Sequence, residues 1–349
     1  MCGRVTESNS RAPEGVAMAS LRYDVLAIGN ALVDVLTHKD DAFVAAQGLD
    51  RGMMQPIAPD RAVLLHQAMG DCQEVCGGSA ANTMAALARL GLRLAFVGQV
   101  GDDRLGRMFA GDMAASGIDF PLPPIAAPTG RCLIIVGPDG HRTMNTAIGA
   151  SEYLPAAAFD AAIAAEAAIL YVEGYMWRTA EPRAASRAAL AVARAHGRRT
   201  AFTLSSEFCV RQHHDEFVGL LDEGLVDMLF ANEGELAALS GLADVEAAVA
   251  WAAERVPLLI ATRGADGAIG IEKGQRTEIA AEPCGPIVDT TGAGDLFAAG
   301  VLAGLAQGRD LAVALRMGSI AAGRIIGIIG PRLPEGEDLG ALIEARLGG

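Results

Sequence analysis

The sequence predicts an α/β fold, with a mostly parallel central sheet, helices on both faces and a small β lid. Hydrophobic residues make up 51% of the 349 residues, enough for a sizeable core, although aromatic residues make up only 5%. Short apolar segments alternate with longer Ala/Leu-rich segments, which is typical of parallel strands joined by helices. Residues 31–56 and 118–148 break this rhythm, and we expect them to supply the lid strands outside the main sheet.

The first elements follow in order along the chain. Residues 23–30 predict a short buried strand that ends at a glycine, and residues 31–37 alternate apolar and polar side chains, as a half-exposed strand does. A double glycine then leads into an Ala/Leu helix that ends at Gly91. Residues 94–101 predict the next strand, and residues 131–145 predict a hairpin with Pro-Asp-Gly at its turn.

The second half of the chain continues the alternation. Helical segments such as residues 181–197 separate several apolar strands, which lie at residues 167–174, 199–205, 227–232, 257–264 and 267–273. No Ser/Gly-rich linker and no internal repeat divides the sequence. We therefore expect one domain over residues 21–349 with an embedded lid, preceded by a polar, disordered tail over residues 1–20.

Charge and cysteine usage restrict the class of partner. With 28 Lys and Arg against 42 Asp and Glu, the net charge is −14, which repels nucleic-acid phosphates and anionic lipid. We expect no nucleic-acid or membrane partner, and charges interrupt every long apolar stretch. The six cysteines are scattered and no apolar leader precedes them, so we expect reduced thiols and a cytoplasmic protein.

Polar and glycine-rich segments follow the predicted strands. In an open α/β sheet, ligands bind beyond the carboxyl ends of the strands. The segments at that edge are Asn30, 77–82, 174–175, 232–235, 263–267 and 289–295. We expect the ligand site to be assembled from them.

The segment "DTTGAGDLFAAG" at residues 289–300 indicates chemistry on an anion. The amides of Gly292, Ala293 and Gly294 can converge on a phosphate at a helix N-terminus, where the helix carries a partial positive charge. Asp295 then lies beside that anion hole, where a carboxylate can take the proton of an attacking hydroxyl. The alternative is a helix start capped in the ordinary way. The sequence has neither the P-loop motif nor a dinucleotide-binding glycine motif, so it disfavours a P-loop enzyme and an NAD-dependent oxidoreductase.

The segment 289–300 resembles the C-terminal motif of the ribokinase/PfkB family of carbohydrate and nucleoside kinases. Residues 77–91, "GGSAANTMAALARLG", resemble the N-terminal motif of that family, and residues 98–106 fit the stretch that follows it. The resemblance runs in order from about Tyr23 to Pro334. It implies a ribokinase-like three-layer α/β/α fold with a β lid, and transfer of a phosphoryl group from ATP to a primary hydroxyl.

The resemblance also assigns roles to residues. Asp295 matches the catalytic base, and Gly292, Ala293 and Gly294 match the anion hole for the γ-phosphate. The residues that match acceptor-binding positions are Asn30, Asp34, Gly77, Gly78 and Asn82.

Other positions match the nucleotide side of the family site. Asn232 and Glu235 would hold Mg²⁺ largely through water, and Thr262, Gly264 and Gly267 match the turn that holds the ATP phosphates. The resemblance implies a monovalent cation such as K⁺ where this chain has residues 289–291. In the lid hairpin, Arg142 either reaches the phosphates or lies in solvent, and we expect solvent.

Within the family the chain is most similar to the adenosine kinase-like branch. Residues 29–36 and 128–132 resemble branch motifs, and Cys132 and Tyr175 match positions that contact the nucleobase. Ala31 and Glu207 replace prolines of that branch. The expected acceptor is therefore adenosine, and the alternative acceptors are ribose, fructose, inosine and guanosine. A protein that binds a nucleoside without catalysis is an alternative function. We expect a monomer or a homodimer.

Overall fold

The computed structural model describes residues 21–139, 141–154, 161–283 and 285–348. The predicted tail over residues 1–20 lies outside this part of the chain. The strands, in chain order, are β1 Tyr23–Ile28, β2 Leu32–His38, β3 Met54–Pro56, β4 Gln73–Gly77, β5 Leu94–Val97, β6 Ile118–Asp119, β7 Gly130–Val136, β8 Arg142–Ala147, β9 Ala167–Glu173, β10 Arg199–Thr203, β11 Met228–Asn232, β12 Leu258–Thr262, β13 Ala268–Glu272 and β14 Gln275–Ile279.

The helices lie between these strands and at the carboxyl end of the chain. They are α1 Asp41–Ala46, α2 Pro59–Met69, α3 Ser79–Ala88, α4 Arg104–Ala115, α5 Ala161–Ala165, α6 Ala180–Ala195, α7 Glu207–Gln212, α8 His214–Asp222, α9 Glu233–Ser240, α10 Val245–Ala253, α11 Ala293–Ala306, α12 Leu311–Ile325 and α13 Leu339–Leu347. Short 3₁₀ turns follow β8, β9 and β12 at Gly149–Glu152, Gly174–Arg178 and Gly264–Asp266.

A nine-stranded sheet forms the centre of the molecule, in the order β14-β13-β12-β11-β10-β9-β1-β5-β6. Its strands run parallel except for β13, which pairs antiparallel with both β12 and the edge strand β14. Helices cover both faces, so the central strands are apolar on both sides. On β9, for example, Tyr171 packs into the core under α3, α11 and α12, whereas Leu170 and Val172 pack into the core under α6, α8, α9 and α10. The α/β fold predicted from the alternating segments is confirmed.

The second sheet is a five-stranded lid in the order β3-β8-β7-β2-β4. It has a small hydrophobic core of its own, in which Val33 and Val35 of β2 and Leu133 of β7 pack with Leu65 of α2 and Val44 of α1. The stretches 31–56 and 118–148 contain β2, β3, β7 and β8. Two details differ from the expectation.

The first difference is β4, whose residues Gln73–Gly77 lie outside the predicted lid stretches and pair antiparallel with β2. Its first residues are exposed or half-buried, so the sequence lacks a clear strand pattern there. The second difference is β6 at Ile118–Asp119, which pairs with β5 and extends the central sheet. Strand β6 is only two residues long. Between β6 and β7 the chain crosses from the central sheet to the lid sheet.

In the described ranges, no single helix is long and apolar enough to cross a membrane. One bent pair, Glu233–Ser240 with Val245–Ala253, meets the length and composition test together, with a bend of 71° between its helices.

Candidate active site

The carboxyl ends of the central strands face the lid across a cavity of about 580 Å³. This volume is within the range of pockets that bury a small organic ligand. The residues that line it include most of the positions predicted from the sequence: Asn30, Asp34, Gly78, Cys132, Tyr175, Asn232, Glu235, Thr262, Gly294 and Asp295.

Helix α11 begins at the edge of this cavity with a glycine turn. Gly292 has φ of +81°, and a Cβ on it would lie 2.9 Å from Pro331, so a side chain is disfavoured twice. The Ala293 amide donates to the carbonyl of Thr290 at 3.2 Å. Within the described ranges, the amides of Gly292, Gly294 and Asp295 have no such partner. The amides left to face an anion are thus those of 292, 294 and 295, with Ala293 engaged in the turn.

Asp295 lies in the first turn of α11, and its carboxylate is held by α3. The Ser79 hydroxyl donates to Oδ1 at 2.6 Å, and Nδ2 of Asn82 donates to Oδ2 at 2.9 Å. Burial raises the pKa of Asp295, although these two hydrogen bonds and the charge of Arg332 oppose the rise. A fixed carboxylate with a raised pKa, beside unpaired amides, can accept the proton of a hydroxyl that attacks a bound phosphate.

The side chain of Asn82 does not line the cavity, contrary to the expectation that it binds the acceptor directly. Its Nδ2 faces Asp295, and its Oδ1 accepts from Nε of Arg332 at 2.8 Å. Gly77 also does not line the cavity; it ends lid strand β4 and lies beside Asp34 of β2. A Cβ on Gly77 would lie 2.6 Å from the Asp34 carboxylate, so glycine is needed there to make room for that side chain.

Asp34 projects from lid strand β2 into the cavity and is 8% exposed. Its carboxylate has no hydrogen-bond partner among the described residues. Burial raises the pKa of Asp34 to about 7, with Asp295 adding to the effect and Arg332 and Arg142 opposing it. A buried, unpaired carboxylate is well suited to accept hydrogen bonds from the hydroxyls of a polyol.

Sequence reasoning missed Glu173, a fully buried carboxylate at the end of β9. It accepts from the amides of Asn30 and Ala80, both at 2.8 Å, and so ties β9 to the end of β1 and the start of α3. Burial raises its pKa to about 7, against those two hydrogen bonds. The signal in the sequence was a charged residue at the end of a strand that is otherwise apolar.

Gly78 links these groups because it is the cap of α3 and has φ of +94°. A Cβ on it would lie 2.3 Å from the Asn30 carbonyl oxygen, so the backbone of α3 and the end of β1 touch at this point. The two segments are thus held together by a glycine contact as well as by Glu173.

Apolar and aromatic side chains also line the cavity. Tyr175, Cys132 and Phe208 line it together with Met53 and Met54 from the lid edge. The Tyr175 hydroxyl donates to the Ser205 carbonyl at 3.0 Å, so its polar group is satisfied. The Thr146 hydroxyl donates to Cys132 Sγ at 3.3 Å, and burial raises the pKa of this thiol to about 12. The thiol is therefore neutral at physiological pH and acts as a small apolar contact.

Asn232 and Glu235 form a reciprocal capping box at the start of α9. The Glu235 amide donates to Oδ1 of Asn232 at 2.8 Å, and the Asn232 amide donates to Oε2 of Glu235 at 2.9 Å. Burial raises the pKa of Glu235 to about 7. No group of three or more His, Cys, Asp and Glu is gathered as a metal site in the residues that the structure describes. Only one carboxylate oxygen of the capping box is left for a water of a hydrated cation.

The turn after β12 is built by its two glycines. Thr262 lines the cavity, whereas Gly264 and Gly267 do not. Gly264 has φ of +56°, Gly267 has φ of +87°, and a Cβ on Gly267 would lie 2.0 Å from the Ile279 carbonyl. Their visible role is therefore to shape the turn.

Arg142 is not in solvent, contrary to expectation. It donates to the Asp289 carboxylate and, at 3.2 Å, to the Thr291 hydroxyl, which joins lid strand β8 to the loop before α11. Asp289 also accepts from the amide of Gly330 at 2.7 Å and the amide of Thr291 at 3.0 Å. Burial alone would raise the pKa of Asp289. These donors and the charge of Arg142 hold it below its usual value.

Comparison with known proteins places this geometry among kinases. The crystal structure of adenosine kinase from Sinorhizobium meliloti is 41% identical, covers 94% of this chain and 100% of its own, and has a TM-score of 0.86. A probable sugar kinase from Rhizobium etli CFN 42 is 38% identical over 93% of this chain and 99% of its own, with a TM-score of 0.87. Fructokinase from Klebsiella pneumoniae is 31% identical over 274 residues, which cover 74% of this chain and 89% of that protein.

The family model for pfkB family carbohydrate kinases matches residues 49–335, which contain β3 to β14 and helix α11 with Asp295. That range holds both glycine-led helices, α3 and α11, which face each other through Ser79, Asn82 and Asp295. The family resemblance inferred from residues 77–91 and 289–300 is confirmed, as is the ribokinase-like fold of a large sheet with a smaller one. The chain belongs to the pfkB family of carbohydrate kinases, and it is a phosphotransferase that acts on a sugar or nucleoside.

Proposed function

We propose that this protein is an adenosine kinase, which transfers the γ-phosphoryl group of ATP to the 5′-hydroxyl of adenosine and forms AMP. The observation that carries the proposal is the mixed lining of the cavity. The carboxylates of Asp34 and Asp295 suit the hydroxyls of a ribose. The apolar and aromatic side chains of Tyr175, Cys132 and Phe208 suit a flat heterocycle. The relative from S. meliloti named adenosine kinase supports the same reading over 94% of this chain.

The residues of the chain account for each part of the reaction. Asp34 accepts hydrogen bonds from ribose hydroxyls, and the Tyr175 ring offers a face to the base. The 5′-hydroxyl gives its proton to Asp295 while its oxygen forms the new bond to the γ-phosphorus. The bond from that phosphorus to the oxygen that bridges to the β-phosphate breaks, and ADP leaves. The unpaired amides of Gly292, Gly294 and Asp295 stabilise the charge on the transferred group.

The nucleotide and metal fit the same edge of the site. ATP with Mg²⁺ supplies the phosphoryl group and neutralises its charge when bound. The amides at the start of α11 would hold the γ-phosphate, and Thr262 would lie along the remaining phosphates. Asn232 and the free oxygen of Glu235 would reach the cation through water, because the capping box already engages Oδ1 of Asn232 and Oε2 of Glu235. A monovalent cation near residues 289–291 stays a prediction, as does a cytoplasmic location.

A free sugar is the second candidate acceptor. The relatives named fructokinase and probable sugar kinase favour it, because both cover most of this chain. Ala31 and Glu207, which replace prolines of the adenosine kinase-like branch, lie in the segments that border the acceptor, so another purine nucleoside such as inosine or guanosine stays in the test.

The experiment is an ADP-release assay with ATP–Mg²⁺ against adenosine, inosine, guanosine, ribose and fructose. The proposal expects the highest kcat/KM for adenosine, with product identified as AMP by chromatography. Turnover confined to ribose or fructose would contradict the nucleobase pocket while leaving the kinase chemistry intact. Asp295→Asn, purified in parallel, separates enzyme turnover from contaminating ATPase activity.

A further inference from the structure

Arg332 reaches the catalytic region from the segment between α12 and α13. Its Nε donates to Oδ1 of Asn82 at 2.8 Å, and its NH1 donates to Asp112 of α4 at 3.3 Å. The side chain is 15% exposed and does not line the cavity. Arg332 therefore lies outside the cavity, with Asn82 between it and Asp295, which lines the cavity.

The polarity of these hydrogen bonds runs in one direction. Arginine can only donate, so the side of Asn82 that faces Arg332 must be its oxygen. The amide nitrogen of Asn82 is then turned toward Asp295, which can only accept while it is ionised. The same side chain rotated by 180° would present its oxygen to the carboxylate and lose both hydrogen bonds. Arg332 thus selects the rotamer of Asn82 that serves the base.

The segment around Arg332 is itself fixed to the anion hole. Gly330 donates its amide to Asp289 at 2.7 Å, and Pro331 lies 2.9 Å from the position that a Cβ on Gly292 would occupy. Gly330 thus contacts Asp289 in the loop before α11, Pro331 contacts Gly292 at the start of that helix, and Arg332 contacts Asn82, which binds Asp295. A displacement of this segment would move all three together.

We propose that Arg332 is a positioning residue for phosphoryl transfer, which acts through Asn82 to orient the Asp295 carboxylate and to favour its ionised form. This proposal rests on the role of Asp295 as the base in the proposed function. Among the described residues, the other charged or titratable groups around Asp295 are Asp34 from the lid, Tyr171 and Glu173 from β9, and Tyr175 just after β9. They carry no positive charge, so Arg332 is the cation that offsets the burial of Asp295.

The test compares Arg332→Met, which keeps the apolar stem, with Arg332→Lys, which keeps the charge and loses the directed Nε donor. We expect Arg332→Met to lower kcat by about 10²-fold, the cost of a misplaced catalytic group, with the KM values for acceptor and ATP unchanged. The acid limb of its kcat–pH profile should move to higher pH, because a nearby cation is lost. Arg332→Lys should return the limb to its wild-type position with kcat still reduced.

Arg324→Met is the matched control. Arg324 makes a two-bond ion pair with Glu337 at 2.6 and 2.7 Å near the same end of the chain, and it touches none of the site residues. This control should lose some thermal stability and keep both kcat and the pH profile. If Arg332→Met keeps wild-type kcat and pH profile, or if its loss of activity only follows a loss of stability equal to that of the control, the proposal is overturned. If Arg332→Met does not fold, wild-type kcat in Arg332→Lys overturns it.

A double variant separates this inference from the proposed function. In an Asp295→Asn background the base is absent, so Arg332→Met should cause no further loss of kcat. An additive loss would show that Arg332 acts elsewhere and would overturn the inference alone. Wild-type turnover of Asp295→Asn by itself would instead overturn the role of Asp295, and with it the proposed mechanism.

Discussion

Asp34→Asn is expected to stabilise the ligand-free protein at alkaline pH while it weakens binding of the acceptor. The carboxylate is 8% exposed and has no hydrogen-bond partner in the described part of the chain. Its pKa of about 7 lies above the usual 3.8, so the folded state holds its proton more tightly than the unfolded state does. The free-energy cost of burying the charged carboxylate is therefore absent below the unfolded pKa. It grows between pH 4 and 7 and is complete above pH 7.

The magnitude follows from the difference between those two pKa values, which is about 3, at 1.36 kcal/mol for each pKa unit. Asn at this position carries no charge to bury, so the gain in the free energy of unfolding should approach about 4 kcal/mol at pH 8.5 and fall to almost nothing near pH 4. Ribose hydroxyls should meanwhile lose a charged acceptor, at a cost of about 1.5 to 3 kcal/mol in binding, or a rise of roughly 10- to 100-fold in the KM for the acceptor.

The assay is urea unfolding of both proteins without ligands at several pH values, together with steady-state kinetics at pH 8. Asp289→Asn is the control of opposite sign, because the pKa of Asp289 is held below its usual value by its donors. That control should be less stable than wild type at neutral pH, and the deficit should shrink as the solution is made acid. A loss of stability in Asp34→Asn at pH 8.5, or a gain that does not change with pH, would refute the reasoning.

Three further predictions follow from single contacts. Asp295→Asn should lower kcat by about 10²- to 10⁴-fold in the ADP-release assay. Its melting temperature should match or exceed that of wild type, because a buried charge is gone. A large drop in that temperature would contradict the stability prediction. Gly78→Ala should lose at least about 1–3 kcal/mol in the free energy of unfolding, since its Cβ would lie 2.3 Å from the Asn30 carbonyl. Gly91→Ala, with φ of +75° and nothing within 4 Å of its Cβ, is the control and should cost less; equal losses would mean that the contact is unimportant. Tyr175→Ala should raise the KM for adenosine by about 10-fold and leave the KM for ATP unchanged, whereas Tyr175→Phe should be close to wild type; equal effects of the two substitutions would remove the ring from the base pocket.

The sequence was most informative where a role depends on neighbouring residues. The glycine turn and aspartate at residues 292–295 form a helix start whose geometry is local, and the structure has it as expected apart from the amide of Ala293. The alternation of strands and helices also set the fold class, because burial on both faces requires apolar strands.

The groups that sequence reasoning missed depend on contacts between distant parts of the chain. Arg332 meets Asn82 across 250 positions, and Glu173 meets Asn30 across 143. A lone arginine in "GPRLPEG" or a lone glutamate after an apolar strand has no local partner that could indicate its role. Asn82 lies beside Asp295, but its side chain turns to Asp295 and Arg332, because spacing in a motif does not say which way a side chain turns. Arg142 was expected in solvent because nothing near it in sequence shows that Asp289 lies within reach.

The contacts of Gly330 and Arg332 also affect when the site is completed during translation. The proposed base is Asp295, and Gly330 and Arg332, which contact the loop before it and its partner Asn82, come more than thirty positions later. Both sheets can be complete while this last segment is still inside the ribosome, since β14 ends at Ile279. Domains made of contacts that are distant in sequence close late. A nascent or prematurely terminated chain that ends before Gly330 would therefore lack the contacts of this segment with Asp289 and Asn82, and Asp295 would be held by Ser79 and by an Asn82 without its arginine partner.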